Sequence, residues 1–262
     1  MMTNTLPAVF EPFRENIEKS VKPFVRIYGQ TKPELSVFES HFGGKPYWPK
    51  EMPYPTNADG QPLYLLAQIN LAEAPALPEL PNTGILQFFV DTNDDMYGLD
   101  FDNRTANQGF RVVYFVEPVQ DNSLIISDFS LLEEIPNKMV AIPAAMQFEL
   151  RNAPVSACDY SFEAQIGQFS YDFFEALGGD KAREEYDDLS ESAGHKLGGY
   201  PYFTQEDPRF AEEETYILLF QADTDGSLGL MWGDMGIANF FIKPEDLANR
   251  DFSKVYFNWD CA

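Results

Sequence analysis

The sequence predicts a mainly β (α+β) fold, in which an internally duplicated antiparallel β-roll-like body carries a few covering helices. Three observations support this prediction. The chain contains 23 Phe and 13 Tyr among 19 Pro and 17 Gly, a composition typical of strands joined by turns. Its apolar runs are short and bounded by turn residues, as expected for strands. Four blocks of sequence occur twice in the same order, which indicates two copies of one unit.

The four repeated blocks divide the chain into two copies. They pair 43–48 with 198–203, 65–70 with 218–223, 84–90 with 236–242, and 110–115 with 252–257. The spacing between blocks is nearly the same in both copies until the last gap. We therefore predict a single compact domain over residues 1–262, made of two diverged repeats (about 30–120 and 190–262) joined by a partly helical segment.

The first block of each copy predicts a turn, because paired glycines permit positive φ and the following Pro fixes the exit from the bend. The second block predicts the start of a buried strand and contains Gln68 in one copy and Gln221 in the other. A buried Gln has to satisfy its amide, so we expect both to bond the backbone of a loop. The third and fourth blocks, rich in Phe, Val and Tyr, predict strands.

Two segments predict covering helices. Residues 161–189 have apolar side chains at helical spacing, with Gly178 and Gly179 as a break or cap. Residues 11–19 also suit a helix.

The charge of the chain restricts its partners. Forty-two acidic and 18 basic residues give a formal net charge of −24 at pH 7. Nucleic acids and anionic membrane surfaces carry the same sign and are excluded as partners. The charge favours a basic protein or a cation. The alternative is that the acidity serves only solubility.

The sequence predicts residence in the cytoplasm. Residues 1–13 lack the basic region and the continuous apolar region of a signal peptide. No apolar stretch approaches the length needed to span a bilayer. Cys158 and Cys261 are too few for a disulfide framework, and we expect both to be reduced and unactivated.

Seven segments together resemble the YwqG-like family of bacterial proteins of unknown function. They are SHFGGKPYWP, LLAQINLAE, GILQFFVDTNDDMYG, HKLGGYPYFTQEDPR, LLFQADTD, MWGDMGIANFFI and DFSKVYFNWDC. The resemblance runs from about residue 30 to the end. It implies a β-rich, duplicated, roll-like fold and no activity, since none is established for the family. Some members lie near genes for secreted polymorphic toxins, which implies an immunity or toxin-handling role.

The two histidines are candidate metal ligands. His41 and His195 each precede the glycine turn of a copy, and a twofold arrangement of the copies would bring them together. Carboxylates such as Glu206 or Asp207 would complete the site. The alternative is that both are ordinary polar residues before turns, and no H-x-x-x-H or H-E-x-x-H motif supports a metal.

Two acidic turns are candidates for weak binding of a hard cation. Residues 91–98 match the first positions of a calcium loop but depart from it at Met96, where Gly is required, and at Asp102, where Glu is required. The second copy offers residues 223–226 and Asp234. An acidic hairpin tip is the alternative. We predict no metal, no cofactor and no catalytic residue.

Aromatic residues near glycine-rich turns are the remaining candidates. They are Tyr47, Trp48, Tyr200, Tyr202, Phe203, Trp232 and Trp259. Exposed at turns, such rings would anchor a protein or a sugar. The alternative is that they close the ends of the core.

We predict a non-enzymatic protein-binding module, with a basic protein as partner and the acidic segments 91–102 and 206–214 as docking surfaces. The alternative is a small-molecule or metal-dependent enzyme with its site in the cleft between the repeats. The predicted binding residues are His41, Trp48, Gln68, His195, Tyr202, Gln221, Asp223, Trp232 and Asp234.

Overall fold

A single antiparallel sheet of ten strands organises the computed structural model, which describes residues 1–133, 135, 137–211 and 215–262. The strands are β1 (Lys22–Gln30), β2 (His41–Phe42), β3 (Tyr64–Asn70), β4 (Ile85–Val90), β5 (Phe110–Phe115), β6 (Ala144–Ala153), β7 (Lys196–Gly198), β8 (Ile217–Asp223), β9 (Ile237–Ile242) and β10 (Tyr256–Asp260). The prediction of a mainly β, antiparallel fold is confirmed.

The strand order is symmetric about the centre of the sheet. It runs β10-β9-β8-β7-β1-β6-β2-β3-β4-β5, and β1 and β6 pair with each other at the middle. β1 also pairs with β7, and β6 also pairs with β2. The first strand of each half therefore joins the sheet of the other half. The division of the chain into one domain of two repeats agrees with this order and stays a prediction.

The two halves share local irregularities. β3 and β8 each carry a bulge at the same place, after Leu65 in one half and after Leu218 in the other. The turn after β2 has Gly43 and Gly44 at φ +58° and +77°, a region that side chains other than glycine rarely adopt. Gly198 and Gly199 at the end of β7 also have positive φ. The turns predicted from the first repeated block are confirmed.

The last repeated block is out of register by three residues. Phe88 pairs with Val112 across β4 and β5, whereas its counterpart Phe240 pairs with Phe257 across β9 and β10. Phe257 is therefore the counterpart of Val112, not of Phe115. The prediction of a strand over 252–257 is wrong at its start, because Phe252–Lys254 forms a 3-10 turn, in which apolar residues three apart also share a face.

The sheet curves until the inner faces of its halves pack on each other. The ring centroid of Phe88 lies 4.4 Å from that of Phe220 and 5.0 Å from that of Phe240. Phe110 and Phe257, near the two ends of the sheet, lie 5.1 Å apart. One apolar core thus draws on strands of both halves, and the sheet approaches a closed barrel.

Helices cover a second apolar cluster outside the sheet. They are α1 (Arg14–Lys19), α2 (Phe162–Ile166), α3 (Ser170–Leu177) and α4 (Asp180–Ser190), with a 3-10 turn over Ala8–Phe13 before α1. A fifth helix, α5 (Pro244–Ala248), instead packs Leu247 into the core of the sheet. Phe10 packs on Phe173 and Tyr186, which joins the N-terminal segment to α3 and α4. The helices predicted over 161–189 are confirmed, with Gly178 and Gly179 as the break. Within the described residues, no helix has the length and apolar character needed to cross a membrane.

Candidate functional site

The two glutamines at equivalent positions of the repeats hold the glycine turns. Gln68 Oε1 accepts the N–H of Tyr47 at 2.8 Å, and Gln221 Oε1 accepts the N–H of Tyr202 at the same distance. Each Nε2 donates to two loop carbonyls, which belong to Val37 and Glu39 in one half and to Ser192 and Gly194 in the other. The expectation that these buried amides bond loop backbone is confirmed. Their polar atoms are therefore occupied by the fold.

The two histidines are not equivalent in the fold, contrary to the twofold site suggested for them. His41 faces Gln68 across β2 and β3, whereas Lys196 faces Gln221 across β7 and β8. Lys196 is therefore the counterpart of His41. His195 lies one residue earlier, and a shift of one residue along a strand turns a side chain to the opposite face.

Lys196 is a buried lysine that the sequence did not single out. Its Nζ donates to the carbonyl of Glu191 at 2.7 Å and to that of Tyr200 at 3.3 Å. Burial, followed by the charge of Arg26, holds the pKa of Lys196 well below its ordinary value. Position 196 gave no sequence signal, because a Lys beside a glycine turn is normally exposed.

His41 is buried beneath the turn after β2. Its Nδ1 donates to the Gly43 carbonyl at 2.6 Å, and its Nε2 has no partner among the described residues. Burial lowers the pKa of His41 to about 4, against the raising effects of the Gly43 hydrogen bond and of Glu39. The ring is held neutral near pH 7.

Stability is expected to depend on His41 between pH 6.5 and pH 4. Because the folded-state pKa of about 4 lies below the ordinary value of 6.5, the unfolded chain binds this proton first. The His41 contribution is complete above pH 6.5 and is lost as the pH falls to 4, at a cost of about 3 kcal/mol. Urea unfolding of wild type and His41→Gln across this range should show the difference. Parallel curves for wild type and His41→Gln would contradict the assignment.

His195 has both ring nitrogens engaged. Its Nδ1 accepts the N–H of Asp223 at 3.0 Å, which places the ring proton on Nε2, 3.3 Å from Asp225 Oδ2. This hydrogen bond is the main cause of the low pKa of Asp225. Asp223 Oδ2 accepts the N–H of Gly194 at 2.6 Å. The group lines a cavity of about 530 Å³, but neither nitrogen of His195 is available as a base.

The aromatic residues near the turns mostly face the core. Trp48 and Trp232 are 1% and 0% exposed, so the expectation of exposed anchors is wrong for both. Trp48 packs on Phe89 and Phe115, and Trp232 packs on Tyr97 and Trp259. Burial favours the alternative that the rings close the ends of the core. The remaining rings divide between buried (Tyr47, Tyr200 and Phe203) and half-buried (Tyr202 and Trp259).

The acidic segment 91–102 is packed along β10. The Trp259 indole N–H donates to the carbonyl of Met96 at 2.7 Å, and the Phe257 N–H donates to that of Arg104 at 2.9 Å. Asp91, Asp94 and Asp100 accept backbone N–H groups of their own loop, as expected for a hairpin tip. Within the described residues, no group of three or more His, Cys, Asp or Glu is arranged to hold a metal ion.

The other sequence candidates lie apart from one another. Asp234 is exposed, and its carbonyl accepts the N–H of Ala262 at 3.3 Å. In the segment 206–214, Asp207 is buried in an ion pair with Arg209, while Glu206 is exposed. Residues 212–214 of that predicted docking surface lie outside the described residues.

A groove of about 1190 Å³ lies beside β10, and we call it the β10 groove. Its walls come from the loop 96–104, from β10 and residue 261, from residues 157–160 and 202–208, and from α4. Both thiols line it, although Cys158 and Cys261 are far apart in sequence. Of the predicted binding residues, it contains Tyr202. The groove is formed by segments distant in sequence, so no local motif predicts it.

Arginine is the charged residue that sequence reasoning missed in this groove. Arg183 donates to Asp187 through Nε and to Cys158 Sγ through Nη2 at 2.9 Å. Burial nevertheless raises the pKa of Cys158, so the thiol is not activated as a nucleophile. Arg104 donates to Asn258 Oδ1, and no carboxylate of the described residues lies within 4.0 Å of its guanidinium.

The outer surface of α2, α3 and α4, residues 162–190, forms what we call the acidic helical layer. It contains eight acidic and two basic residues. The exposed carboxylates are those of Glu163, Asp172, Glu175, Asp180, Glu184 and Asp188. Among them, Phe169 and Tyr171 are 63% and 76% exposed. Large exposed rings within a charged surface are typical of protein–protein contacts.

Comparison with known proteins identifies the family of the chain but assigns it no activity. A family model described as a domain of unknown function, DUF1963, matches residues 40–261. No protein with a curated description matches the chain.

Proposed function

Because the chain belongs to the DUF1963 family, whose function is unknown, we propose a function from its surface: a non-enzymatic protein-binding module that takes a basic protein as partner. The observation that carries this proposal is the acidic helical layer, in which Phe169 and Tyr171 project from a surface of carboxylates. Negative charge steers a basic partner into contact, and exposed rings supply area that is desolvated on binding.

The engagement of the alternative site residues also supports a binding role. The amides of Gln68 and Gln221 hold the glycine turns, and both nitrogens of His195 are hydrogen-bonded. An enzyme site between the repeats would need these groups to be free to act on a substrate. Docking on the acidic helical layer needs none of these three side chains, although the sequence predicted them as binding residues.

The resemblance to the YwqG-like family adds a biological setting to the proposal. Residence in the cytoplasm and an immunity role against a basic toxin would fit a chain of net charge −24. We therefore propose membership of the YwqG-like family, residence in the cytoplasm and an immunity role together with the binding function.

Affinity capture with two charge-matched variants tests the proposal. The first variant changes Asp172, Glu175 and Glu184 of the acidic helical layer to Lys. The control changes Glu51, Asp59 and Glu117, which are exposed outside the layer and outside the segments 91–102 and 206–214, to Lys. Each variant raises the net charge by the same six units, from −24 to −18, so a difference between them reports position and not total charge.

We expect a basic partner that the wild type and the control retain at low salt, at about 50 mM. The layer variant should bind it at least about tenfold more weakly, and high salt, about 500 mM, should release it from all three. Tyr171→Ala should weaken binding without changing its salt dependence. Equal binding by both charge variants, or no basic partner under either condition, would overturn the proposal.

A further inference from the structure

Strand β10 ends the sheet, and part of its outer edge is unpaired. Phe257 sends its N–H away from β9, to the carbonyl of Arg104 at 2.9 Å. Backbone groups of successive strand residues point to alternate sides, so the N–H and C=O of Trp259 and the N–H of Cys261 point the same way. Within the described ranges, no protein group bonds these three. Both residues line the β10 groove.

A buried carboxylate oxygen in the same groove also lacks a donor. Asp260 is 8% exposed, and its Oδ1 accepts from the N–H and hydroxyl of Thr204 at 3.0 and 2.8 Å. Its Oδ2 is buried and accepts no hydrogen bond of good geometry from the described residues. Burial raises the pKa of Asp260, although the Gln205 N–H and the charge of Arg104 lie near the carboxylate and lower it by a smaller amount. A buried acceptor left unsatisfied is costly, and an N–H donor from a bound molecule would satisfy it.

We propose that the β10 groove binds an extended peptide segment, which adds to the sheet as a further strand beside residues 259–261. The peptide backbone pairs with the free edge of β10, and one N–H or ammonium group donates to Asp260. This site stands apart from the acidic helical layer and does not rest on the function proposed for it.

The groups around the groove fit a peptide better than a compact ligand. An open strand edge offers donors and acceptors in alternation, which is the pattern of another extended backbone. Arg104, unpaired with any described carboxylate, can take a carbonyl or an acidic side chain. Phe101 and Tyr160, 66% and 40% exposed, lie in the walls and can contact apolar side chains. A volume of about 1190 Å³ accommodates several residues.

The test selects a ligand from a random dodecapeptide library displayed on phage, with the full chain as bait. The best peptide is synthesised with a fluorescent label, and its Kd is measured by anisotropy. Cys261→Pro removes the outward N–H at the groove, and Cys261→Ser is the matched control that keeps it. Asp260→Asn keeps an oxygen for Thr204 but replaces the orphan acceptor with a donor.

We expect Cys261→Pro and Asp260→Asn each to weaken binding about tenfold, and Cys261→Ser to leave it unchanged within about twofold. Bound peptide should slow hydrogen exchange of the Trp259 amide. N-methylation of single peptide residues leaves the protein intact. It should abolish binding at every second residue, where the N–H points toward β10, and should be tolerated at the residues between them. The proposal is overturned if no peptide is enriched, if Cys261→Pro binds as well as Cys261→Ser, or if exchange at Trp259 is unaltered.

Discussion

Replacing Arg209 with Met is expected to lower the free energy of unfolding by about 3–5 kcal/mol, the usual result of removing one partner from a buried ion pair. Arg209, Asp159 and Asp207 have side chains no more than 4% exposed. Nη2 of Arg209 donates to Asp159 at 2.7 Å and to Asp207 at 2.6 Å, and Nη1 donates to the carbonyl of Tyr216 at 2.9 Å. Met would leave two carboxylates buried without a cation.

Urea unfolding of the Arg209→Met variant measures this loss. Arg14→Met is the matched control, since Arg14 pairs with Glu11 and Glu18 while remaining 44% exposed. Exposed ion pairs contribute little, so the control should keep the wild-type midpoint. A change below about 1 kcal/mol for Arg209→Met would show that water reaches the cluster and that its burial is not maintained in solution.

Replacing Phe88 with Ala is expected to cost about 3–5 kcal/mol and to destabilise both halves of the sheet together. Phe88 is fully buried, and its ring lies against Phe220 and Phe240 of the other half. The cavity left by Ala would open in the core that both halves share. Unfolding followed by circular dichroism and by tryptophan fluorescence should therefore shift by the same amount and stay a single transition.

Phe101→Ala provides the comparison, because Phe101 is 66% exposed and its removal opens no cavity in the core. Its effect should be less than about 0.5 kcal/mol. Two separate transitions in Phe88→Ala would mean that the halves unfold independently, which the packing of Phe88 across the core contradicts.

The sequence predicts the strands and turns well because each depends on local residues. The bulged strands that contain Gln68 and Gln221 lie where their apolar runs begin, and the glycine turns lie where paired Gly precedes Pro. The hydrogen bonds from the two glutamines to loop backbone could also be predicted, because a buried amide has few ways to satisfy its donors.

The sheet centre and the grooves could not be predicted, because they depend on contacts between distant segments. β1 and β6 show no clear sequence similarity, and nothing local indicates that each joins the other half. The offset that separates His41 from His195 is a single residue, too small to recognise without the strand register. The β10 groove brings Cys158 and Cys261 together from opposite sides of a helical segment.

The exchange of β1 and β6 between the halves has a consequence for synthesis on the ribosome. β1 ends at Gln30, but its first partner begins at Ala144 and its second at Lys196. At elongation rates of about 5–20 residues per second, β1 therefore waits on the order of ten seconds for either neighbour. During that interval its apolar residues, among them Val25 and Ile27, have no sheet to join. The nascent chain thus emerges with an unpaired strand, and a chaperone or a second nascent copy can bind this strand before β6 and β7 are synthesised.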